Sequence, residues 1–316
     1  MAQAINADRG TLKAHFWAGI VLLALGHVLI FAPGPSGEHL RPLSDYWFAA
    51  VWFGYIFALD ALVYRRDGRS LFVNHRKVFL WMLPLSALVW LGFEGVNWFV
   101  QNWNYLRPYD IPEWWAQLWS MIFFSTVIPA VWETADWVGG WGFIRGLRRT
   151  RTFSVPKWAL VALVIAGVVS FVLPALLPLY FFPLIWGFAA LILDPINYWR
   201  GYPSILGYWS RGDWRVPLAL FIGGTITGVF WEFWNFWAFP KWYYTIPFVG
   251  FWKIFEMPLL GYLGYGPFSW ELFALFWFFA GWLLPKDSRE VTDLEGLLVE
   301  EASNEGRAAW VHRDKA

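Results

Sequence analysis

The sequence contains no cysteine, five histidines and only 15% charged residues in 316 positions. Without cysteine there is no disulfide framework, no thiolate zinc or iron–sulfur site and no thiol nucleophile. Five scattered histidines give no basis for a haem or a histidine-based metal cluster, so neither a metal nor a cofactor is expected. Charge is balanced as well as scarce: 24 Lys and Arg against 23 Asp and Glu leave a formal net charge of +1. That balance removes the electrostatic footing for nucleic-acid binding. Soluble domains carry about a quarter charged residues. Here 58% of residues are apolar and 22% aromatic, with 27 tryptophans, which is the composition of a membrane protein. Its chemistry has to come from carboxylates, amides, phenols and indoles.

A membrane-crossing helix needs about 20 mostly apolar residues. Eight such runs occur, at approximately 14–31, 45–64, 78–100, 115–146, 157–177, 180–199, 215–239 and 250–284; the fourth and eighth are overlong and interrupted by Pro129 and by Gly264 to Pro267. Arg9 and Lys13 precede the first run, which is long for a signal peptide and has no small-x-small cleavage site before Pro33, so it reads as an anchor helix. Short-loop cations stay on the cytoplasmic side. Arg65, Arg66, Arg69, Arg76 and Lys77, then Arg145, Arg148, Arg149, Arg151 and Lys157, then Arg200, Arg211 and Arg215 fall on one side if both termini are cytoplasmic. The expected location is therefore the cytoplasmic (inner) membrane, with residues 286–316 as an acidic cytoplasmic tail.

The chain aligns with itself. At an offset of 138, residues 94–133 match 232–271 without a gap, pairing Glu94 with Glu232, Asn97 with Asn235, Tyr105 with Tyr243, Pro129 with Pro267, Trp132 with Trp270 and Glu133 with Glu271. At 134, Trp52, Asp60, Tyr64, Arg66 and Ser70 match Trp186, Asp194, Tyr198, Arg200 and Ser204. Apolar bias cannot supply the Glu, Asn, Asp and Pro pairs. Four spans per half is an even number, so both halves enter the membrane in the same direction. The expected fold is an all-α polytopic membrane protein of about eight transmembrane helices in two parallel four-helix repeats, 1–147 and 148–285, with broken or re-entrant helices.

Ionised carboxylates in the bilayer cost at least about 2.5–3.5 kcal/mol, so acids kept there need a partner, a proton or a function. Glu94 and Glu232 each have an Asn three residues on, placing amide and acid on one helical face where Asn97 and Asn235 can donate to them. If Pro129 and Pro267 open new helical segments, Glu133 and Glu271 lie in first turns, where the positive helix end favours an acid. Residues 113–128 and 251–264 would then be re-entrant or interfacial half-helices, and four glutamates would converge at similar depth. Glu256 has no counterpart in the first half, where Leu118 stands. These five glutamates are the candidate catalytic residues. Internal hydrogen bonds that merely lock helices are the competing explanation for each. Asp60 and Asp194 are expected to form snorkelling ion pairs with Arg66 and Arg200, and His27 a packing hydrogen bond. Gly224, Thr225, Thr227 and Gly228 form a small-residue face for close helix approach.

The tryptophans exceed what two interfacial belts need. Asn97, Asn235, Trp98, Trp132, Trp231, Trp234, Trp270, Tyr105 and Tyr243 are the candidate substrate-binding residues, because aromatic faces beside acids stabilise cations and accept flat apolar ligands. Such a pocket suits protonation of an alkene and guidance of the resulting carbocation.

Trp242-Tyr243-Tyr244-Thr245-Ile246-Pro247, followed by Phe255-Glu256-Met257-Pro258 and Pro267-Phe268-Ser269-Trp270-Glu271, resembles the heterodimer-type lycopene cyclase family. The first half offers Trp103-Asn104-Tyr105, Ile111-Pro112 and Pro129-Ala130-Val131-Trp132-Glu133. The family's Pro-x-Glu-Glu motif is not present, and the similar stretch is 94–133 in one half and 232–271 in the other. The resemblance implies a cofactor-free membrane enzyme of paired repeats acting on an isoprenoid. The leading expectation is a membrane enzyme that handles an isoprenoid or related lipid by carboxylic-acid catalysis. The alternatives are a proton-coupled transporter or lipid-handling permease, and a structural subunit of a membrane complex. Expected partners are the membrane lipid itself, and either another membrane protein or a second copy of the chain.

Overall fold

The structure, a computed structural model, describes residues 12–283 apart from 35–38, 40 and 109. The acidic tail 286–316 lies outside the described residues. The chain runs α1 (Ala14–Phe31), α2 (Trp47–Asp67), α3 (Arg76–Val100), β1 (Trp103–Leu106), α4 (Glu113–Phe124), α5 (Val127–Gly139), α6 (Lys157–Leu176), α7 (Phe188–Arg200), α8 (Arg215–Trp237), β2 (Lys241–Tyr244), β3 (Lys253–Ile254), β4 (Met257–Pro258) and α9 (Tyr265–Leu283), with short helical turns between them. The described residues are mostly helical and form no closed sheet. A helix satisfies its own backbone hydrogen bonds, which is what hydrocarbon surroundings demand.

Among the described residues seven segments are long and apolar enough to cross a membrane, with α4 and α5 counting as one (Glu113–Gly139) and the turns before α7 joining it (Pro178–Arg200). The eighth expected span corresponds to α9, whose first turns carry Gly266, Pro267, Ser269 and Glu271; it is not among the seven. Burial follows polarity. Only 17% of the most apolar window, in Lys157–Leu176, is buried, against 61% of the window in Glu113–Gly139, which carries Glu133 and Asp136. A helix facing lipid has to be apolar all round, whereas a helix packed among others can carry acids on protected faces.

Two local expectations are corrected. The break before α5 falls at Ser125 and Thr126, whose hydroxyls donate to the carbonyls of Ile122 (2.6 Å) and Phe123 (2.7 Å). Pro129 is the third residue of α5, and Glu133 and Glu271 are the seventh residues of α5 and α9, beyond the first turn. Residues 251–264 form no half-helix: β3 and β4 make a small hairpin, followed by a 3-10 turn over Leu259–Gly264. Phe248, Trp252 and Phe255 take positive φ values of 60°, 51° and 59°, a left-handed backbone that cannot propagate a right-handed helix. The equivalent first-half stretch is the regular helix α4.

The helices pack as α1 on α2, α6 on α7, α2 on α5, α7 on α9, and α8 against both α5 and α9. Glycines let α8 approach closely. A methyl at Gly223 would lie 2.7 Å from the Ala135 backbone of α5, and one at Gly224 would lie 2.5 Å from Ser269 of α9. The strands β1 and β2 pair antiparallel, Trp103 with Tyr244 through Leu106 with Lys241. Asn97 and Asn235 anchor them. The Asn97 amide donates to the Trp103 carbonyl (2.8 Å) and accepts from Asn102 N (2.9 Å), while Asn235 donates to and accepts from the Trp242 backbone, each at 2.8 Å. Contrary to expectation, neither asparagine donates to its neighbouring glutamate. Strand backbone groups outside the sheet need partners, and the amides supply them.

Candidate functional site

At the strand-bearing end of the molecule a cavity of about 1210 Å³ lies between α3, α4, the β1–β2 pair and residues 240–268. Its inner wall is a chain of aromatic rings. Trp90 lies 6.1 Å from Trp103 and 5.8 Å from Trp231 between ring centres, Trp103 lies 5.8 Å from Trp186, and Trp186 lies 5.5 Å from Phe268. Such edge and tilted contacts hold the rings rigidly.

Three carboxylates line this cavity, Asp45, Glu94 and Glu113; of these Glu94 of α3 sits among the rings, whereas Asp45 pairs with Arg41 and Glu113 with Arg107. Glu94 Oε1 accepts from Trp90 Nε1 (2.8 Å), Trp103 Nε1 (3.2 Å) and the Tyr105 hydroxyl. Glu232 of α8 stands one layer behind, fully buried. Its Oε1 accepts from the hydroxyls of Tyr244 and Tyr265, both at 2.7 Å, and Tyr244 in turn accepts from Trp242 Nε1 at 2.9 Å. Glu232 Oε2 has no hydrogen-bond partner among the described residues. Tyr244 and Tyr265 themselves line the cavity, so they connect it to the buried acid. Burial, and then the Glu232 charge, push the Tyr244 phenol well above its usual range, which keeps it a donor.

Tyr265 reaches Glu232 because Gly228, one helical turn earlier on α8, has no side chain. A methyl there would lie 2.3 Å from the Tyr265 ring. The first-half residue 138 positions before Gly228 is Trp90, which donates to Glu94 from its own helix. The two acids thus receive aromatic donors from opposite sources.

The remaining candidates are spread more widely. Asn97, Tyr105 and Trp231 line the cavity, and Asn235 is buried behind the β2 strand. Glu256 pairs with Lys241 Nζ at 2.5 Å; Lys241 lines the mouth and Glu256 does not. Trp98 is 85% exposed and forms no part of the wall. Tyr243 pairs with Asn104, whereas Trp242 and Tyr244 face the cavity. Trp132 packs among Phe273, Phe276 and Trp277, Trp234 among Trp52, Tyr55 and Phe230, and Trp270 against Trp209 and Phe221. Glu133 and Glu271 are buried away from the cavity, so the four glutamates do not converge. Glu271 accepts from Ala189 N at 2.7 Å. Tyr244, Tyr265, Trp103 and Trp186 were not singled out from sequence. The period-2 alternation of Trp242 and Tyr244 was the available signal for one of them.

At the opposite end Asp60 accepts from Ser70 Oγ (2.8 Å) and Phe72 N (2.7 Å) and lies 2.9 Å from His15 Nε2. Asp194 accepts from Ile205 N (2.6 Å) and Leu206 N (2.9 Å). Both acids therefore hold the start of the short helix that follows, rather than pairing with Arg66 and Arg200. Arg66 instead bonds Asp67 and the carbonyls of Asp136 and Trp137, and Arg200 lies over Phe278 and Trp282. Nearby, Tyr55 and Thr227 both meet the Thr134 hydroxyl, at 2.7 and 3.0 Å. Glu133 and Asp136 are fully buried with no hydrogen-bond partner for their carboxyl oxygens among the described residues. His27 sits as expected, 2.7 Å from the Leu23 carbonyl and accepting from Trp234 Nε1 at 3.3 Å. No group of three or more His, Asp or Glu among the described residues is placed to hold a metal ion. No protein-family model, characterised protein or solved structure matches the chain.

Proposed function

We propose that the chain is an inner-membrane protein of two parallel four-helix repeats, with both termini cytoplasmic, that binds an isoprenoid or related lipid in the aromatic cavity and moves protons to and from it. The observation that carries this reading is the placement of Glu94 among the indoles of Trp90, Trp103 and Trp231, with Glu232 behind its two phenols. The strand pairing is compatible with the repeat: β1 and β2, which the offset of 138 makes equivalent, pair with each other and run antiparallel. A two-fold axis along the membrane normal generates that pattern.

A carboxylic acid in such a wall protonates one carbon of an alkene and leaves a carbocation on the other. The rings stabilise the cation through their π faces. Attack by a second double bond closes a ring, and loss of a proton to the other carboxylate restores neutrality, so no proton is gained or consumed overall. Glu94 is the group in contact with the ligand; Glu232 exchanges its proton through Tyr244 or Tyr265. The resemblance to the lycopene cyclases supports the choice of an isoprenoid. The runner-up is a proton-coupled transporter, favoured by the fully buried Glu133 and Asp136 and by the Tyr55–Thr134–Thr227 hydroxyls near Glu133.

The test is mass spectrometry of organic extracts from the purified protein and its membranes, for the wild type and for Glu94→Gln and Glu232→Gln. A retained prenyl lipid whose converted form disappears in both variants is the expected outcome. Extracts without prenyl lipid, or unchanged product in both variants, would overturn the catalytic reading, and proton-driven uptake by reconstituted vesicles would replace it with transport.

A further inference from the structure

A second hollow, about 780 Å³, opens between α3, α6, α7 and α9, and every residue lining it is apolar or glycine. Its position breaks the internal symmetry. Under the repeat, the α3–α9 seam is the counterpart of the α5–α8 seam, which is closed. On that closed side Phe230 of α8 meets Tyr55 of α2 at 5.7 Å between ring centres. The corresponding residues on the open side are Gly92, 138 positions before Phe230, and Ala189, 134 positions after Tyr55; both line the hollow. Gly95 likewise stands where the second half has Phe233. A side chain at Gly92 or Gly95 would meet nothing within 4 Å, so neither glycine is required by helix packing. Glycine inside a helix costs about 1 kcal/mol relative to alanine, a cost that packing does not recover here. The two glycines keep open a space that its symmetric counterpart fills.

The hollow lies next to the aromatic cavity, with one layer of packed rings between them. Phe93 lines the hollow and stacks on Trp186 (5.9 Å) and against Phe268 (5.4 Å), both of which line the cavity. With no polar lining group the hollow cannot hold a lipid headgroup, which would lose its hydrogen bonds there. Its walls suit a bare hydrocarbon chain, and Phe99, Phe171, Phe188 and Phe276 offer the π faces that complement alkenes.

We propose that this open seam is a binding groove for a polyisoprenoid chain, the far end of the ligand whose reactive end occupies the aromatic cavity. It rests on the cavity reading above. Ligand then enters sideways from the bilayer, and its chain parts the Phe93 ring from Trp186 and Phe268 to join the two spaces.

The experiment uses the full-length protein in nanodiscs with two geranylgeraniol probes, one bearing a diazirine near the hydroxyl and one at the opposite terminus. A saturated straight-chain alcohol of equal length, with a terminal diazirine, is the comparator. Labelled peptides are mapped after irradiation. The terminal prenyl probe should label residues around Phe188–Leu193 and Leu275–Ala280, and unlabelled geranylgeraniol should compete. Gly92→Phe and Gly95→Phe, which copy the second half, should each lower that label about tenfold, the scale of an overfilled apolar site. Gly92→Ala serves as the control for folding. Equal, non-competable labelling by the straight-chain probe would mean bulk lipid and overturn the proposal. Cavity labelling by the hydroxyl-end probe without groove labelling would overturn it alone. Competable groove labelling without any cavity labelling would instead overturn the cavity reading and leave the groove as a separate chain site.

Discussion

Glu94 and Glu232 are equivalent in sequence and unlike in setting, and single residues produce the difference. Trp90 supplies its indole to Glu94 from one turn away, whereas Gly228 at the matching position makes room for Tyr265 of α9. Losing one donor to a buried acceptor costs about 1–3 kcal/mol. Tyr265→Phe should therefore lower thermal stability, followed by intrinsic tryptophan fluorescence. Gly228→Ala should do so through the same contact, because its methyl displaces the ring. The double variant is expected to lose less than the two losses added, since one interaction cannot be removed twice. Additive losses would place the two residues in separate roles. Asp60 and Asp194 teach a related lesson: adjacency to arginine in sequence suggested ion pairs, yet unpaired backbone N–H groups one loop further on took the carboxylates.

At the scale of elements, the strands show how a one-residue shift reassigns a side chain. Asn97 bonds the backbone six residues on and Asn235 seven, so β2 presents Trp242 and Tyr244 to the cavity where exact equivalence would have presented Tyr243. Strand side chains alternate, and a slip of one exchanges the faces. Helix α3 ends on Gln101, which takes φ 52° while its N–H bonds the Asn97 carbonyl at 2.8 Å. That left-handed position favours glycine by about 1 kcal/mol. Gln101→Gly should raise the unfolding temperature by a few degrees while keeping the Thr245 contact, which uses only the Gln101 carbonyl. A lowered melting temperature would show that the Gln101 side chain holds the strand junction.

For the whole molecule the orientation is open to direct measurement. Reporter fusions after residues 70, 150 and 208 should read cytoplasmic, and fusions near 38 and 108 external, because the basic loops lie on the former side. A cytoplasmic reading at 108 would overturn the proposed parallel arrangement of the halves. The weakly buried α1 and Lys157–Leu176 helices flank the bundle in corresponding places, each resting on the next helix of its own half. The acid-bearing helices α5, α8 and α9 meet one another inside.

What the sequence determined by itself is what depends on local composition: the apolar runs, the broken fourth span and the acids and aromatics within those runs; the β1–β2 pairing, absent from the all-α expectation, came only with the structure. Tertiary packing decided which of those acids meet the cavity. Glu94 reached the cavity, Glu232 stopped behind two tyrosines, Glu256 went to Lys241, and Glu133 and Glu271 turned away from it. The physical reason is that a helix fixes only the face its residues share. Which face meets which neighbour depends on pairs such as Gly223 with Ala135, Gly228 with Tyr265 and Phe230 with Tyr55. Those partners lie far apart along the chain, and their complementary sizes become meaningful only when the halves are packed together.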